Sequence, residues 1–113
     1  MKKRVFINLG EIENTRKIDE LMDNSLVFSN WIRNCLERYS KCDWGDIEEE
    51  DKVLNDKIVL RKGAEDGRLL ARYNHPEGDI YIMTERDQIN KSNLTTILLR
   101  EEYRKLKPLN WRV

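Results

Sequence analysis

The chain has 113 residues, of which 39% are hydrophobic and 37% are charged, and its 21 basic and 21 acidic side chains give a formal net charge of zero. This length suits one compact domain and excludes multidomain enzymes, solenoids and large barrels. No apolar run approaches the roughly 20 residues of a membrane span, so we expect neither a membrane protein nor an exported one. We therefore predict a single domain over residues 1–113, located in the cytoplasm.

Two helical patterns are clear in the first half of the chain. After the predicted N-cap at Asn14-Thr15, the apolar residues Ile18, Leu21 and Met22 predict a short helix that ends near Asp23-Asn24. Ser25 is the predicted N-cap of a longer helix, which carries a continuous apolar stripe. That stripe consists of Phe28, Trp31, Ile32, Cys35, Leu36 and Tyr39.

A third helix is predicted to begin near Ile47, where Asp46 and Glu49 have the spacing of a capping box. Gly63 is placed to end this helix in a left-handed backbone conformation. The predicted buried stripe of the helix consists of Ile47, Val53, Leu54 and Ile58.

Beyond Gly63 the apolar period changes from that of a helix to that of a strand. Three antiparallel strands are predicted, at residues 68–73, 79–84 and 94–99, with a hairpin loop between the first two. Residues 5–9 fit a further strand or an extended segment, and residues 105–113 form a basic tail. We expect an α+β fold, in which about three N-terminal helices cover one face of a small antiparallel sheet of three to four strands.

The two cysteines and the single histidine form no recognisable metal or redox motif. Cys35 lies on the apolar stripe, so we expect a core residue, and with Cys42 it supplies too few thiols for a disulfide framework. His75 lies in the predicted hairpin loop, where we expect an exposed side chain. Because no nucleophilic triad or glycine-rich phosphate loop is present, we expect no catalytic residues, no cofactor and no metal.

Residues 43–51 contain six acids and no base, namely Asp43, Asp46, Glu48, Glu49, Glu50 and Asp51. Carboxylates at a helix start face free N–H groups and the positive end of the helix dipole, which stabilises each by about 0.3–1 kcal/mol. A purely structural role is therefore one interpretation, and an acidic protein-binding patch is another. A third is the metal site of a small hydrolase, with Asp43, Asp46, Asp51 and Glu85 as ligands and Asn55 orienting water or substrate.

Four arginines suggest a second kind of site. Arg68 and Arg72 share one face of the first predicted sheet strand, and Arg100 and Arg104 follow the last one. Guanidinium groups recognise phosphates and carboxylates through paired hydrogen bonds, so these residues are candidates for binding an anionic ligand. The alternative is a set of solvated arginines that border a half-buried sheet.

Two sequence motifs carry a resemblance to a known family. They are Asp-Trp-Gly-Asp at residues 43–46, before a helix, and a late Thr-Thr-Ile-Leu-Leu strand at residues 95–99. The chain resembles a family of small, uncharacterised proteins from bacterial plasmids and phages. The departures are Arg100 and Gln88, where the family has proline and arginine, and an insertion before Leu94. The resemblance implies a mobile-element protein in the cytoplasm of a bacterial host, and it implies no mechanism. The matching positions are Gly10, Asp43, Trp44, Gly45, Asp46, Glu50, Asp51, Asn55, Tyr73, Gly78, Ile82, Thr84, Glu85, Asp87, Thr95, Thr96, Ile97, Leu98, Leu99, Glu102 and Tyr103.

Several of these matching residues are polar or aromatic and have a physical interpretation. Trp44 is placed to cover the seam between helices and sheet with its N–H bonded, and Asn55 lies on the helical face of Asp51. The second sheet strand ends in three polar residues, Thr84, Glu85 and Asp87. If these ends meet, they form a polar corner, which is either a structural hydrogen-bond network or a small ligand site.

Together these features predict a non-catalytic binding protein of a phage or plasmid that counters a bacterial defence system, as an anti-CRISPR protein does. In one form of this hypothesis, the protein presents the acids of residues 43–51 to the basic nucleic-acid channel of a host defence protein. The other uses the four arginines to sequester an anionic small molecule, a signalling nucleotide. The alternative function is the small metal-dependent hydrolase. The candidate binding residues are Asp43, Trp44, Asp46, Asp51, Asn55, Arg68, Arg72, Glu85, Asp87 and Arg100.

On this prediction we expect the protein to bind no membrane and to make no direct, sequence-specific contacts with nucleic acid. Residues 1–56 hold nine bases and 13 acids, whereas residues 57–113 hold 12 bases and eight acids. This asymmetry indicates that the two halves attract each other within the fold, or that copies pair head-to-tail in a homo-oligomer.

Overall fold

A computed structural model of the protein describes residues 7–60, 68–87 and 92–106. Within these ranges an α+β fold is present, as predicted, and none of its helices is long and apolar enough to cross a membrane. Gly63 and most of the basic tail lie outside the described residues. In chain order the elements are β1 (Glu11–Asn14), α1 (Arg16–Asn24), α2 (Leu26–Ser40), α3 (Glu49–Leu60), β2 (Leu69–Tyr73), β3 (Ile80–Asp87), β4 (Ser92–Leu99) and α4 (Arg100–Leu106).

The four strands form one mixed sheet in the order β1-β4-β3-β2. The antiparallel pairs β2–β3 and β3–β4 confirm the three predicted sheet strands, while β1 pairs with β4 in parallel. Of the two alternatives predicted for residues 5–9, a strand or an extended segment, the strand is wrong in its described part, because Ile7 and Leu9 are not in a strand. The chain instead turns at Gly10 (φ +64°), where a Cβ atom would lie 1.9 Å from the Asn93 carbonyl oxygen, and the strand begins after that turn.

Alternating side chains give the sheet two distinct faces. The core face carries buried apolar residues of the three antiparallel strands, and the outer face carries the residues between them. Helices α1 and α2 pack on the core face, where Ile18, Phe28 and Ile32 are almost completely buried. The core-face residues are Leu69, Ala71, Tyr73, Ile80, Ile82 and Ile97, and the outer-face residues include Leu70, Arg72, Tyr81, Met83 and Leu98.

Both predicted N-caps of these helices are confirmed. The Thr15 hydroxyl accepts the Ile18 N–H (3.4 Å), and the Ser25 hydroxyl accepts the Phe28 N–H (3.1 Å). Each bond satisfies one of the free donors at a helix start. The predicted stripe of α2 is also confirmed, and Cys35 on it is 1% exposed.

Helix α3 lies beside the edge strand β2 and follows the prediction for its buried face only in part, because Ile47 and Ile58 pack against the core but Val53 and Leu54 do not. Asn55 is its buried residue, whereas Val53 and Leu54 remain 49% and 46% exposed. The amide of Asn55 donates to the outward-facing carbonyl of Leu70 (2.9 Å), so a polar side chain takes the inward position that the apolar pattern had assigned to Leu54. An edge strand must have its free carbonyls covered, and an amide does this where an apolar residue cannot.

The capping box predicted from Asp46 and Glu49 is also wrong. Helix α3 begins only at Glu49, and the Asp46 carboxylate instead accepts the backbone N–H of Asn74 (3.0 Å) at the end of β2. The backbone carbonyl of Glu48 accepts the Asp51 and Lys52 N–H groups at the helix start.

Helix α4 is an element that the sequence patterns did not predict, and it packs on the outer face. Its Tyr103 ring stacks on Tyr81 of β3, with 4.4 Å between ring centroids. The Glu102 carboxylate accepts the Leu99 N–H (2.9 Å) and the Thr15 hydroxyl (2.8 Å), which ties the starts of α4 and α1 together. Helices therefore flank both faces of the sheet, rather than one as predicted.

Candidate functional site

The segment of residues 43–46 adds one further backbone connection to the outer edge of β2. The Asp46 N–H donates to the Arg72 carbonyl (2.6 Å), and Gly45 forms an isolated parallel bridge with Arg72. Gly45 has φ +71°, and a Cβ atom there would lie 2.1 Å from the Arg72 carbonyl oxygen. Glycine is therefore required at this position by both the backbone conformation and the close approach of β2.

Asp43 holds the end of α2 against this segment. Its carboxylate accepts two hydrogen bonds from the Arg38 guanidinium (2.8 and 3.2 Å), which keep the pKa of Asp43 below its usual value. The carboxylate also accepts the Gly45 N–H, and the backbone carbonyl of Asp43 accepts the Tyr73 hydroxyl (2.6 Å). These bonds give Asp43 a structural role.

Trp44 and Asn55 belong to the same seam between α3 and the sheet. Trp44 is 3% exposed, its indole N–H donates to the Asp56 carboxylate (2.9 Å), and its ring meets Tyr39 edge-on. This is the arrangement predicted for Trp44. The Asn55 amide donates its hydrogen bond to the Leu70 carbonyl. Trp44 and Asn55 therefore both hold α3 in place.

The predicted polar corner does not form around these residues. Thr84 is fully buried on the core face, whereas Glu85, on the opposite face of the strand, pairs with Arg68 (3.3 Å). Asp87 ends β3 opposite Ser92, and its side chain lies outside the described atoms. Adjacent residues of a strand point to opposite faces, which separates the hydroxyl from the carboxylate.

Thr84 instead belongs to a buried relay of hydroxyl groups. Thr95 donates to the Leu9 carbonyl (2.7 Å), so Thr84 donates to Thr95 (2.8 Å) and the Tyr39 hydroxyl donates to Thr84 (2.7 Å). Each hydroxyl thus has an acceptor, as a buried polar network requires. Burial raises the pKa of Tyr39, and it raises the pKa of the Cys35 thiol to about 12.

The four proposed metal ligands are not brought together. Asp43 is bound by Arg38, Asp46 by the Asn74 N–H, and Glu85 by Arg68, while Asp51 lies on α3. In the part of the chain that the structure describes, no three histidine, cysteine, aspartate or glutamate side chains are grouped so as to hold a metal ion.

The candidate cationic surface is also dispersed. Arg68 pairs with Glu85, whereas Arg100 pairs with Asp79 (3.6 Å), which precedes Glu85 by six residues. Because a strand advances about 3.3 Å per residue, the two acids Asp79 and Glu85 lie about 20 Å apart. Arg72 is held separately, because it donates to the Asp46 carbonyl (2.6 Å). The side chain of Arg104 lies outside the described atoms.

His75 is not the exposed loop residue that was predicted. Its ring is half-buried and packs against Trp31 (4.4 Å between centroids) and Phe28 (5.4 Å), and its Nδ1 accepts the Glu77 N–H. The imidazole covers the N-terminal end of the α2 stripe, so the hairpin loop packs on α2.

A groove on the outer face brings together two of the predicted residues, Asp51 and Arg72. This tyrosine groove has a volume of about 310 Å³ and runs between the start of α3, the outer face of the sheet and α4. Arg72 Nε is buried there and has no acceptor among the described residues. The groove is lined by Ile47, Glu48, Asp51, Leu70, Arg72, Tyr81 and Tyr103.

Exposed carboxylates lie at the start of α3, beside the tyrosine groove. Glu48, Glu49 and Glu50 are all exposed, and Glu48 lines the groove itself. Glu49 has a contact with Lys52 at 3.5 Å, and a surface pair of this kind adds little stability. The first turn of α3 therefore presents an acidic surface to solvent, the acidic start of α3.

A larger cavity of about 500 Å³ lies where β3 begins and β4 ends, and Leu21 and Leu99 form part of its lining. Two of its charged residues, Asp79 and Arg100, pair with each other. A third, Glu101, pairs with Lys17 (3.5 Å). Because the tyrosine groove lies beside the exposed acids at the start of α3, we take it as the stronger candidate for recognising a partner.

The tyrosines of the groove were missed as site residues in the sequence. Tyr81 alternates with the core residues Ile80 and Ile82, so its position on the outer face was predictable. Tyr103 was not, because its position depends on α4. The adjacent acids Glu101 and Glu102 are typical of a helix start and were the available signal.

Comparison with known proteins finds no family model, no curated protein and no solved structure that matches the chain significantly. The function must therefore be inferred from the geometry and charge of the described residues.

Proposed function

We propose that this protein is a non-catalytic binding protein whose acidic start of α3 docks on a basic surface of a second protein. The proposed partner is a bacterial defence protein whose nucleic-acid channel is lined with lysine and arginine. In this role the protein is a counter-defence factor of a phage or plasmid, the setting that its family resemblance implies.

One observation carries this proposal: three consecutive exposed glutamates lie at the start of α3, and the first of them, Glu48, lines a groove that also contains two stacked tyrosines. Exposed acids supply attraction to a basic surface at long range, and aromatic rings supply contact area once the surfaces meet. Asp43 and Asp46 are taken up by structural bonds, so the acids proposed to bind are fewer than the six in the sequence.

The proposed mechanism is competition for a basic channel. A defence protein that holds nucleic acid uses lysine and arginine to neutralise phosphates, and the carboxylates of Glu48, Glu49 and Glu50 would occupy the same cations. Zero net charge limits this mimicry to a local patch. Acids at a helix start also stabilise the helix, so the test must separate binding from folding.

The test is phage plating on host strains that each carry one defence system, with the protein expressed in the host. We expect it to restore plating on at least one strain. The variant with Glu48, Glu49 and Glu50 changed to lysine should lose this protection, because its patch repels a basic surface.

The matched control changes three other exposed acids, Glu11, Glu13 and Glu20, to lysine, which alters net charge by the same amount. We expect this variant to protect as well as the wild type. Circular dichroism of both variants checks that they fold. Failure to protect on any strain, or equal protection by the Glu48/Glu49/Glu50 variant, contradicts the proposal.

A further inference from the structure

The tyrosine groove contains a hydrogen-bond donor that the fold leaves unused. Arg72 lines the groove, and its Nη2 donates to the Asp46 carbonyl (2.6 Å). Its Nε is buried and has no acceptor among the described residues. A buried N–H without an acceptor destabilises the structure, so a bound group that supplies an acceptor oxygen is favoured. A cation would instead bring more donors to the same place.

The acids beside the groove narrow the choice of acceptor. The Glu48 carboxylate lines the groove, and the exposed residues Glu49 and Glu50 follow it in the chain. A phosphate or a carboxylate would be repelled by these three charges, of which the Arg72 guanidinium offsets only one. We therefore expect a neutral acceptor, and the same repulsion of phosphates favours a protein over a nucleic acid as its source.

A carboxamide matches the groove in hydrogen bonding and in shape. Its carbonyl oxygen can accept from Arg72 Nε, and its N–H groups can donate to the Glu48 carboxylate. It is also flat, as is the aromatic side chain of Tyr81 that lines the groove. Tyr81 is partly exposed and stacks on Tyr103 with 4.4 Å between ring centroids.

We infer that the tyrosine groove binds one glutamine side chain of the partner protein. The two methylene groups of glutamine suit the apolar lining residues Ile47 and Leu70, and its amide reaches Arg72. Because Nε is buried, the side chains of Arg72 and Tyr81, which lie opposite each other on β2 and β3, must move apart slightly to admit the oxygen. This inference rests on the proposed function, which it deepens by naming the group of the partner that is recognised.

The test follows the Arg72 Nε–H resonance in ¹⁵N spectra of the full chain as N-acetyl-glutamine methylamide is added. We expect this resonance to move downfield, because its proton gains an acceptor. N-acetyl-glutamate methylamide is the matched control, since it has the same shape and backbone amides but carries a charge and no side-chain N–H. At pH 7 it should bind about threefold more weakly, because its charge and that of Glu48 repel each other.

Two variants test whether Glu48 causes this preference. Glu48→Gln should bring the two probes to nearly equal affinity, because it removes the charge that repels the glutamate probe. Glu49→Gln removes the same charge from the next residue, which does not line the groove, and should leave the preference close to that of the wild type. Both positions are exposed, so we expect both variants to fold.

Three results would overturn the inference: no shift of the Arg72 Nε–H resonance at the highest probe concentration, a glutamate probe that binds as tightly as the glutamine probe, or equal effects of the two variants. Uridine is a further comparison, because a nucleobase also carries carbonyl and N–H groups. Tighter binding of uridine than of the glutamine probe would assign the groove to a nucleobase instead. These failures are distinct from failure of the proposed function, which fails if the plating test is negative, whatever the small probes do.

Discussion

Gly45 is the residue on which the seam between α3 and the sheet depends most directly. We expect Gly45→Ala to destabilise the fold by about 3 kcal/mol or more, because a side chain there combines a left-handed φ with a clash against the Arg72 carbonyl. Gly78→Ala is the control: it also has a positive φ, but its Cβ would meet only Leu99, at an ordinary 3.9 Å. Urea unfolding should show the larger loss at Gly45, and equal losses would contradict the packing described for it.

The ion pair of Asp43 with Arg38 is a second single-residue contact, and it predicts how the stability of the fold depends on pH. The pKa of Asp43 in the folded protein lies below the ordinary aspartate value, so the stabilisation from the ion pair is present above that ordinary value and is lost as the pH falls through the folded pKa. Asp43→Asn retains an acceptor for Gly45 and should cost about 0.5 kcal/mol at pH 7, since the pair is half exposed. The difference from wild type should vanish at strongly acid pH. A difference that persists there would show that the charge is irrelevant.

Among the elements, α3 is held to the edge strand β2 by the hydrogen bond of Asn55 and to the core by the packing of Ile58 and Val59. We expect Asn55→Ala to cost about 1–3 kcal/mol, because it leaves the Leu70 carbonyl without a donor. Amide hydrogen exchange should quicken in α3 and change little in α2. Asn34→Ala, at an exposed position of α2, is the control and should be nearly neutral. Unchanged exchange in α3 would mean that other contacts hold the helix.

Across the whole molecule, local patterns predicted most of the elements but not β1 or α4, and tertiary contacts decided the site. The α2 stripe, its Ser25 cap and the three antiparallel strands follow from spacing and side-chain chemistry alone. The sequence did not reveal the start of β1, which depends on the close approach of Gly10 to a distant residue, Asn93. Nor did it predict the tyrosine groove, which forms only because the unpredicted α4 places Tyr103 on Tyr81.

The acidic residues illustrate the same limit. Six acids in the range 43–51 look equivalent in the sequence, yet Asp43 and Asp46 hold backbone and arginine partners while Glu48, Glu49 and Glu50 face solvent. The helix-start pattern predicted where acids are favoured. Only the fold distinguishes those used for structure from those left for a partner.

The central claim, that the acidic start of α3 binds a basic protein surface, is tested most directly by affinity as a function of salt. The measurement uses the defence protein identified by the plating screen, with the wild type and the Glu48/Glu49/Glu50 lysine variant. We predict that wild-type affinity falls steeply with rising salt, because exposed charges are screened, and that the variant binds far more weakly at low salt. A wild-type affinity that does not depend on salt, or a variant that binds equally well, would contradict the account.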